Sequence, residues 1–377
     1  MLLVHGKLIT CEGERYEDGF VAFQDGKITA CGDSACAPAD PETIDVRGAW
    51  IVPGLVEPHC HTGVGPEGFM SSEYSETLDP MTPEHSGLDA VYPQDPAIAK
   101  ARNAGITTVI AGPGSTSLID GQLIAYKTLG VDVRKCVVKA PVAMKFALGE
   151  APKSAFGHRG RAPVTRMSEA ALLRDMLTRA RSYCDAIDAG QKMPYDKKMQ
   201  ALLPLMRREI PMHVHACRMD DILTALSLAE EFHLRCIIVH CNDAQFLLDD
   251  LAERAEGVIL GPMYFTCRDW ESMHGSFADP ARTVARGVLT GICTDSCPML
   301  GSVTLLAPSA ALAAREGLDD FEALKCITIN AAKLAGIDQR VGSIRAGKDA
   351  DIAVFDKFPL EFDARATHVF IDGRRVK

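Results

Sequence analysis

Both ends of the chain carry short stretches in which apolar and polar residues alternate. The N-terminal stretches read LLVHGKLIT, GFVAFQDGKITACG and TIDVRGAWIV, and the C-terminal ones read GSIRAGKDADIAVFD and THVFIDGRRVK. Glycine-containing turn signals, such as the DG pairs at 25–26 and 372–373, interrupt both groups. Because similar β segments flank a different middle, we expect residues 1–50 and 345–377 to pair into one small β domain.

Between these ends, apolar runs without alternation are interleaved with amphipathic stretches such as SEAALLRDMLTRARSYCDAID. The runs are IVPGLVEPHC, ITTVIAG, KCVVKAPVAMKFA, IPMHVHA, RCIIVHC, GVILGP and GVLTGICTD. This pattern is typical of a parallel sheet covered by helices on both faces. About eight such units favour a closed (β/α)8 barrel of the α/β class, over residues 51–344. A glycine-rich phosphate fingerprint is missing after the first strand, which weighs against a dinucleotide-binding sheet.

The Pro-, Glu- and Ser-rich region 65–95 is predicted to be a long loop after the first barrel strand. Long loops at that position commonly shape a substrate site.

Composition narrows the class of protein. The chain has 377 residues, 47% of them hydrophobic and 24% charged, and a formal net charge of -10. This charge, without a Lys/Arg-rich block, argues against nucleic acid as a partner. No apolar run reaches membrane-spanning length and the N-terminus lacks the features of a signal peptide, so we expect a cytoplasmic protein that acts on a small molecule. The 13 cysteines are expected to be reduced, buried fillers, Cys217 among them.

Polar residues collect at the predicted C-terminal ends of the apolar runs, where a parallel barrel carries its active site. These residues are His59 and His61, Lys145, His213 and His215, His240, and Asp295. The set is more specific than any of its members, because random scatter of 11 histidines would not place five of them at such positions.

Neutral imidazoles and a carboxylate are natural ligands for Zn²⁺ and similar divalent ions. A bound metal with an open position lowers the pKa of water towards about 7. A neighbouring carboxylate can accept the proton of that water and pass it to a leaving group, and Asp295 is the candidate for this role.

Two motifs resemble those of the amidohydrolase superfamily. Pro53-Gly54-Leu55 running into His59-x-His61 is similar to its opening motif, and residues 342–356 are similar to its closing segment. The positions that match its metal ligands are His59, His61, His215, His240 and Asp295. The resemblance implies a (β/α)8 barrel with a composite β-sandwich formed by both termini. It also implies metal-dependent hydrolysis of an amide, cyclic amide or dipeptide-like C–N bond. The segments MKFALGE and HVHACRMDDILTAL are closest to the imidazolonepropionase-like and Xaa-Pro dipeptidase-like branch.

In binuclear members of the superfamily, a carboxylated lysine on the fourth strand bridges two metals, and Lys145 matches that place. A free ammonium cannot ligate a metal, so this role requires the modification. Glu150 could bridge without any modification, or Lys145 could simply extend its charge to water from the strand end. His213 is a candidate for supporting the ligands or contacting substrate, or is a core histidine.

Candidates for substrate binding are Arg218, after the fifth strand, and Arg159, in the basic loop FGHRGRAPVTR. These residues suit an anionic substrate, although a solvated loop is an equal alternative. Tyr264 and Arg268 are weaker candidates.

Several alternatives stay open. The site could hold one or two ions, with zinc as the expected metal. A deaminase, a lyase or isomerase on the same scaffold, and a non-catalytic ligand-binding member all remain alternatives. A homo-oligomer rests only on analogy with homodimers that are frequent in the family.

Overall fold

The computed structural model describes residues 1–66, 73–264, 269–297 and 301–377. In chain order the strands are β1 (Leu2–Ile9), β2 (Arg15–Gln24), β3 (Lys27–Asp33), β4 (Thr43–Asp45), β5 (Trp50–Pro53), β6 (Leu55–Cys60), β7 (Ile106–Ala111), β8 (Ile119–Lys127), β9 (Val137–Ala147), β10 (Met212–Ala216), β11 (Cys236–His240), β12 (Gly257–Leu260), β13 (Thr290–Ile292), β14 (Ile352–Phe355), β15 (Ala366–Ile371) and β16 (Arg374–Arg375). The α-helices are α1 (Pro96–Asn103), α2 (Val133–Cys136), α3 (Glu150–Gly157), α4 (Arg166–Asp188), α5 (Lys197–Met206), α6 (Met219–Glu231), α7 (Leu248–Arg254), α8 (Asp279–Ala285), α9 (Leu306–Arg315), α10 (Asp320–Cys326) and α11 (Ile329–Leu334).

The two ends of the chain share one sheet, which we call the terminal sheet. Its strands follow the order β16-β15-β14-β5-β1-β2-β3, and β4 pairs with β1. The C-terminal strand β14 runs antiparallel to β5 with Ala353 opposite Val52, while β5 runs parallel to β1. Strands from the two ends of the chain therefore pair with each other. All eight strands belong to one hydrogen-bonded sheet, and the sandwich that the resemblance implied is not confirmed.

The second sheet is a nearly closed barrel of eight strands in sequential order from β6 to β13. Backbone hydrogen bonds join its two edges at the rim: the Asp295 N–H donates to the His59 carbonyl (3.2 Å) and the His61 N–H donates to the Ser296 carbonyl (2.8 Å). The first strand is thus tied directly to the segment that follows the last one, and this contact brings Asp295 to the first two histidines.

One strand of the barrel contradicts the prediction of eight parallel strands. Strand β8 runs antiparallel to both β7 and β9. The segment between β7 and β8, residues 112–118, contains no helix. A parallel neighbour needs a crossover connection of a dozen or more residues, so this short connection forces the chain to reverse. The other strand pairs, from β9 to β13 and between β6 and β7, are parallel as expected.

Because β8 runs in the reverse direction, its last residue, a buried lysine, lies at the opposite end of the barrel from the histidine cluster, next to the terminal sheet. Lys127, the last residue of β8, is 3% exposed and donates to Asp349 (2.7 Å), Asp351 (3.1 Å) and Asp372. Asp351 and Asp372 flank β14 and β15, so one lysine links the barrel to the C-terminal strands. None of the helices in the described ranges is long and apolar enough to cross a membrane.

Between β6 and α1, the described part of the predicted long loop, 61–66 and 73–95, contains no α-helix or named strand. It has one short 3-10 turn, Gly87–Asp89. Residues 67–72 of that loop lie outside the described residues.

Candidate active site

Three strands bring imidazole rings to one rim of the barrel, and a fourth is followed by a carboxylate. The His59 ring centroid lies 5.5 Å from that of His61 and 5.8 Å from that of His240. The His215 ring meets the His240 ring at 4.5 Å. His59 and His61 come from the end of β6, His215 from β10 and His240 from β11, while Asp295 follows β13. The structure therefore brings together residues that lie more than 200 positions apart in the chain.

The nitrogen and oxygen atoms of three of these residues are close enough to share one cation. One ligand atom each from His59, His240 and Asp295 lies within 4.8 Å of the other two. Asp295 Oδ1 is 3.3 Å from His61 Nε2 and 3.6 Å from His59 Nε2. This oxygen is buried and makes no regular hydrogen bond to the described residues. A buried carboxylate oxygen aimed at imidazole nitrogens is the arrangement expected of a metal ligand.

Backbone carbonyls fix which nitrogen of two imidazoles faces the centre. His61 Nδ1 lies 2.9 Å from the Gly112 carbonyl and His240 Nδ1 lies 2.7 Å from the Gly261 carbonyl. Because a carbonyl only accepts, each Nδ1 carries the proton and each Nε2 keeps its lone pair. Gly261 must be glycine, since a Cβ there would stand 2.3 Å from the Cys293 carbonyl oxygen.

Two residues of the cluster adopt the left-handed backbone conformation, which non-glycine residues rarely use. His240 has φ +72° and Asp295 has φ +50°. Alternation along β11 would place the His240 side chain on the same face as Ile238, the outer face of the barrel. Ile238 belongs to the hydrophobic core that also contains residues of α6. The positive φ at the end of β11 instead turns the ring towards His59. Such strain costs roughly 1–3 kcal/mol per residue and is concentrated at functional sites.

Lys145 lies at the inner side of this cluster. Its Nζ is 3.4 Å from His59 Nε2, and both side chains are fully buried. Burial, which disfavours the charged ammonium, lowers the pKa of Lys145. His213 is the register partner of Lys145 on the neighbouring strand and is equally buried. Burial, together with the charge of Lys145, lowers the pKa of His213 to about 3, so this imidazole is neutral.

The electrostatics of the site favour neutral imidazoles and an ionised carboxylate. Burial lowers the pKa of His59 and His215 well below the ordinary value, and it also lowers that of His240. Burial opposes ionisation of Asp295, but His61, His240 and Lys145 outweigh it and lower the pKa of this carboxyl. Neutral nitrogens and a carboxylate are the protonation states that a divalent cation requires.

A residue that the sequence analysis missed, Glu57, connects the first and last barrel strands. Its Oε1 accepts the His59 N–H (3.1 Å), and its Oε2 accepts the Thr294 N–H (2.9 Å) and hydroxyl (2.7 Å). Burial raises the pKa of Glu57 to about 8, against the effect of these hydrogen bonds. The only signal in the sequence was a carboxylate inside the apolar run GLVEPHC, two residues before His59.

Three other candidates lie away from the imidazoles. Glu150 accepts from Lys153 (2.6 Å) and Arg166 (2.9 Å) and, among the described contacts, does not reach the cluster. The guanidinium of Arg218 is paired with Asp220 (2.8 and 3.0 Å). Arg159 follows α3, is exposed and donates to the Ala155 carbonyl of that helix. Tyr264 is 41% exposed, and Arg268 lies outside the described residues.

The cluster adjoins a cavity of about 480 Å³ between the long loop and β8. The Tyr74 ring stacks on the His61 ring with centroids 5.0 Å apart and an interplanar angle of 18°. The carboxylates that line this cavity are Glu73, Glu76, Glu84, Asp89 and Asp120, and the described lining includes no Lys or Arg. A smaller cavity of about 150 Å³ borders His240 on the other side. Tyr74 thus contacts the His61 ring and also lines an acidic cavity.

Comparison with known proteins places this geometry in context. A family model described as "Amidohydrolase family" matches residues 50–376. The chain is 33% identical to a solved amidohydrolase from Thermotoga maritima MSB8, with a TM-score of 0.94 over 100% of this chain and 99% of that one. It is 28% identical to amidohydrolase tasK of Hapsidospora irregularis over 95% of this chain, but it spans only 39% of the length of tasK. It is 26% identical to an imidazolonepropionase of Caulobacter sp. (strain K31), covering 90% of this chain and 88% of that protein.

Proposed function

The chain belongs to the amidohydrolase family, whose relatives indicate a hydrolase acting on C–N bonds, and we propose that it hydrolyses such a bond in a small molecule with a bound divalent metal. One observation carries this proposal. Donor atoms of His59, His240 and Asp295 converge within 4.8 Å of one another at the C-terminal rim of the barrel. Active sites of such barrels lie at this rim.

The residues present fit a divalent ion. Carbonyl acceptors on Nδ1 leave the lone pair on Nε2 of His61 and His240, and the buried Asp295 Oδ1, which makes no regular hydrogen bond to the described residues, lies 3.3 Å from His61 Nε2. We assign His59, His61, His240 and Asp295 to the metal, with His215 beside them, and zinc as the ion that suits these ligands. When bound, the ion supplies the acidity that generates a hydroxide nucleophile near neutral pH and the charge that polarises the scissile carbonyl.

Asp295 is the proposed general acid–base. Its carboxylate is ionised, because its pKa is lowered, and Oδ1 points into the centre of the site. We assign it to accept the proton of the attacking water and to deliver that proton to the departing nitrogen. The hydrogen bond from its own N–H to the His59 carbonyl holds the residue in position during both transfers.

Lys145 is proposed to carry the carboxyl modification. Burial favours its neutral amine, whose nitrogen can add to the carbon of CO2 and lose a proton to form a carbamate. The carbamate would present oxygen ligands where the free amine now lies 3.4 Å from His59 Nε2. Glu150 is a weaker candidate for this role, because Lys153 and Arg166 already engage it.

The charge of the cavity bears on the substrate. Two of the carboxylates that line the 480 Å³ cavity form ion pairs, Glu84 with Lys197 and Asp89 with Arg134, while the described lining itself includes no Lys or Arg. The arginines expected to attract an anion are paired with Asp220 or bonded to a backbone carbonyl. We therefore propose that the part of the substrate farthest from the scissile bond, which would occupy this cavity, is neutral or cationic rather than anionic.

A substrate panel tests the proposed function. Purified protein loaded with Zn²⁺ is incubated with N-acyl amino acids, dipeptides and cyclic amides that carry neutral, basic or acidic side groups, and products are identified by mass spectrometry. We expect turnover of at least one amide, abolished by a chelator and restored by the metal. Release of ammonia from aminated heterocycles without amide hydrolysis would instead indicate a deaminase, and turnover unaffected by chelation would refute the role of the metal.

A further inference from the structure

A second group of metal-ligating side chains lies beside the first. It consists of His215, Cys217 and Glu271, which offer one nitrogen, one sulfur and one oxygen within 4.8 Å of one another. Cys217 Sγ lies 3.9 Å from His215 Nε2. Nitrogen and sulfur ligands of one tetrahedral zinc ion lie about 3.5 Å apart, given Zn–S and Zn–N bonds of about 2.3 and 2.0 Å. The observed separation is therefore close to that of a bound site.

Strand β10 and the segment after it account for two of these ligands. His215 is the penultimate residue of β10 and Cys217 follows its last residue, so the two side chains leave the strand end two positions apart. Cys217 is 6% exposed. His215 Nδ1 is buried and, among the described residues, has no hydrogen-bond partner, so no carbonyl orients this ring as in His61 and His240. Something other than a carbonyl must fix its position.

The third ligand, Glu271, is anchored on every side. Its N–H donates to Asp269 Oδ1 (3.0 Å), and its carbonyl accepts from Asn242 Nδ2 (2.7 Å). Its Oε1 accepts from the Glu150 N–H (2.7 Å) and from Arg166 (3.2 Å). These contacts hold the carboxylate in one place, and outer partners of this kind are what orient ligands in metal sites.

Gly149 makes room for this carboxylate. A Cβ at Gly149 would stand 2.2 Å from Glu271 Oε1, and the residue has φ +101°, which side chains rarely allow. The chain therefore combines a glycine, an arginine and a backbone N–H around Oε1 of Glu271, and one oxygen of this carboxylate lies within 4.8 Å of ligand atoms of Cys217 and His215.

We propose that His215, Cys217 and Glu271 bind a second, thiophilic divalent cation, zinc by the character of the ligands, next to the ion assigned to His59, His240 and Asp295. A thiolate and a carboxylate together neutralise the ion, and sulfur selects zinc over magnesium, calcium or manganese. Three protein ligands leave a position open for water or substrate. This site goes beyond the proposed hydrolysis, because its occupancy does not depend on which bond is cleaved or on Lys145.

The purely structural alternative makes a different demand. A role limited to anchoring the segment around Glu271 needs Arg166 and the Glu150 N–H, but it does not need a thiol at position 217. The two readings therefore diverge on whether sulfur ligates a metal.

Cobalt provides the probe, because a thiolate bound to Co²⁺ gives an intense near-ultraviolet charge-transfer band that nitrogen and oxygen ligands do not give. Metal-free protein is titrated with Co²⁺ while absorption is recorded, and bound metal is counted by elemental analysis. We expect the band in the wild-type protein. We expect Cys217→Ser to remove the band and one equivalent of cobalt, and Cys236→Ser, another buried cysteine in the neighbouring strand, to leave both unchanged.

A further variant distinguishes this second site from the site of the first ion. Asp295→Asn weakens the other group, so the band should persist there even if hydrolysis is lost. Protein that hydrolyses no amide but shows the band supports this site and not the proposed function. Absence of the band in wild-type protein at saturating Co²⁺, or an undiminished band in Cys217→Ser, overturns the site whatever the protein hydrolyses. The wild-type measurement remains decisive if the variant fails to fold.

Discussion

Lys145 Nζ lies 3.4 Å from His59 Nε2 in a region that water does not reach. An ammonium so close to a metal-binding imidazole would repel the cation, whereas a carbamate would attract it. We therefore expect the affinity of the site for a metal ion to depend on whether Lys145 Nζ is an ammonium or a carbamate.

We predict that metal binding to the apoprotein depends on bicarbonate. Wild-type protein reconstituted in bicarbonate-free buffer should recover activity slowly and incompletely, and added bicarbonate should restore it. Lys145→Ala should bind metal at least tenfold more weakly and be indifferent to bicarbonate. Equal reconstitution of wild-type protein with and without bicarbonate would show that Lys145 is unmodified.

Asp295→Asn tests proton transfer. The amide keeps the shape and the backbone bond to His59 but cannot accept a proton, so kcat measured at saturating metal should fall by roughly 10²–10⁴-fold. Circular dichroism and unfolding should match the wild-type protein, since the substitution is nearly isosteric. Full activity of Asp295→Asn on any substrate of the wild-type protein would remove Asp295 from the mechanism.

Glu57→Gln tests the connection between the first and last strands. The amide would face the Thr294 N–H and hydroxyl with a donor where Glu57 Oε2 now accepts both. We expect a loss of stability of about 1–3 kcal/mol and a 10–100-fold loss of metal affinity or activity. Thr294→Val is the matched control and should show the smaller effect, because it keeps the backbone bond to Glu57 and removes only the two bonds of the hydroxyl, to Glu57 and from the Ser296 N–H. Metal affinity equal to that of the wild-type protein would limit Glu57 to a role in folding.

Because His213 is buried and neutral, the free energy of unfolding should decrease as the pH falls. Its pKa is about 3 in the folded protein and about 6.5 in an unfolded chain. The unfolded state therefore binds the extra proton, and stability is lost as pH falls from about 6.5 towards 3. Between pH 7 and about pH 5, His213 should account for a loss of about 2 kcal/mol in the free energy of unfolding. This loss is measured by urea titrations of the metal-free proteins. Over the same pH range, the free energy of unfolding of His213→Asn should fall by about 2 kcal/mol less than that of the wild-type protein. An identical pH dependence would contradict the buried neutral imidazole.

Lys127, at the opposite end of the barrel from the histidine cluster, should contribute to stability but not to catalytic activity. Lys127→Met leaves Asp349, Asp351 and Asp372 without their shared cation, and removing one partner of a buried pair costs about 3–5 kcal/mol. Lys27→Met is the matched control, because Lys27 pairs with the same Asp349 but is 51% exposed. Thermal unfolding should separate the two variants, while activity at low temperature stays near that of the wild-type protein.

The sequence indicated which polar side chains meet at the barrel rim, because each of them is marked locally. His59 and His61 end an apolar run, His215 and His240 end two others, and Asp295 ends a fourth, so the rule for parallel barrels was enough to place them together. The pairing of the two termini also followed from local alternation. Both expectations depend on patterns contained within a few residues.

The features that were missed depend on partners distant in sequence. Glu57 bonds to Thr294, 237 positions away, and an isolated carboxylate in an apolar run does not reveal that partner. Glu271 joins Cys217 from a different loop, and neither residue carries a recognisable motif. Strand β8 escaped prediction because Gly121 and Gln122 interrupt its apolar run, and its antiparallel direction follows from a short connection rather than from composition.

Anomalous X-ray scattering from crystals of the zinc-loaded protein tests the central claim most directly. The account predicts a strong zinc peak at the barrel rim within bonding distance of His59, His61, His240 and Asp295. A zinc-loaded crystal without a peak at this position, or with these four side chains too far apart to share an ion, would contradict it.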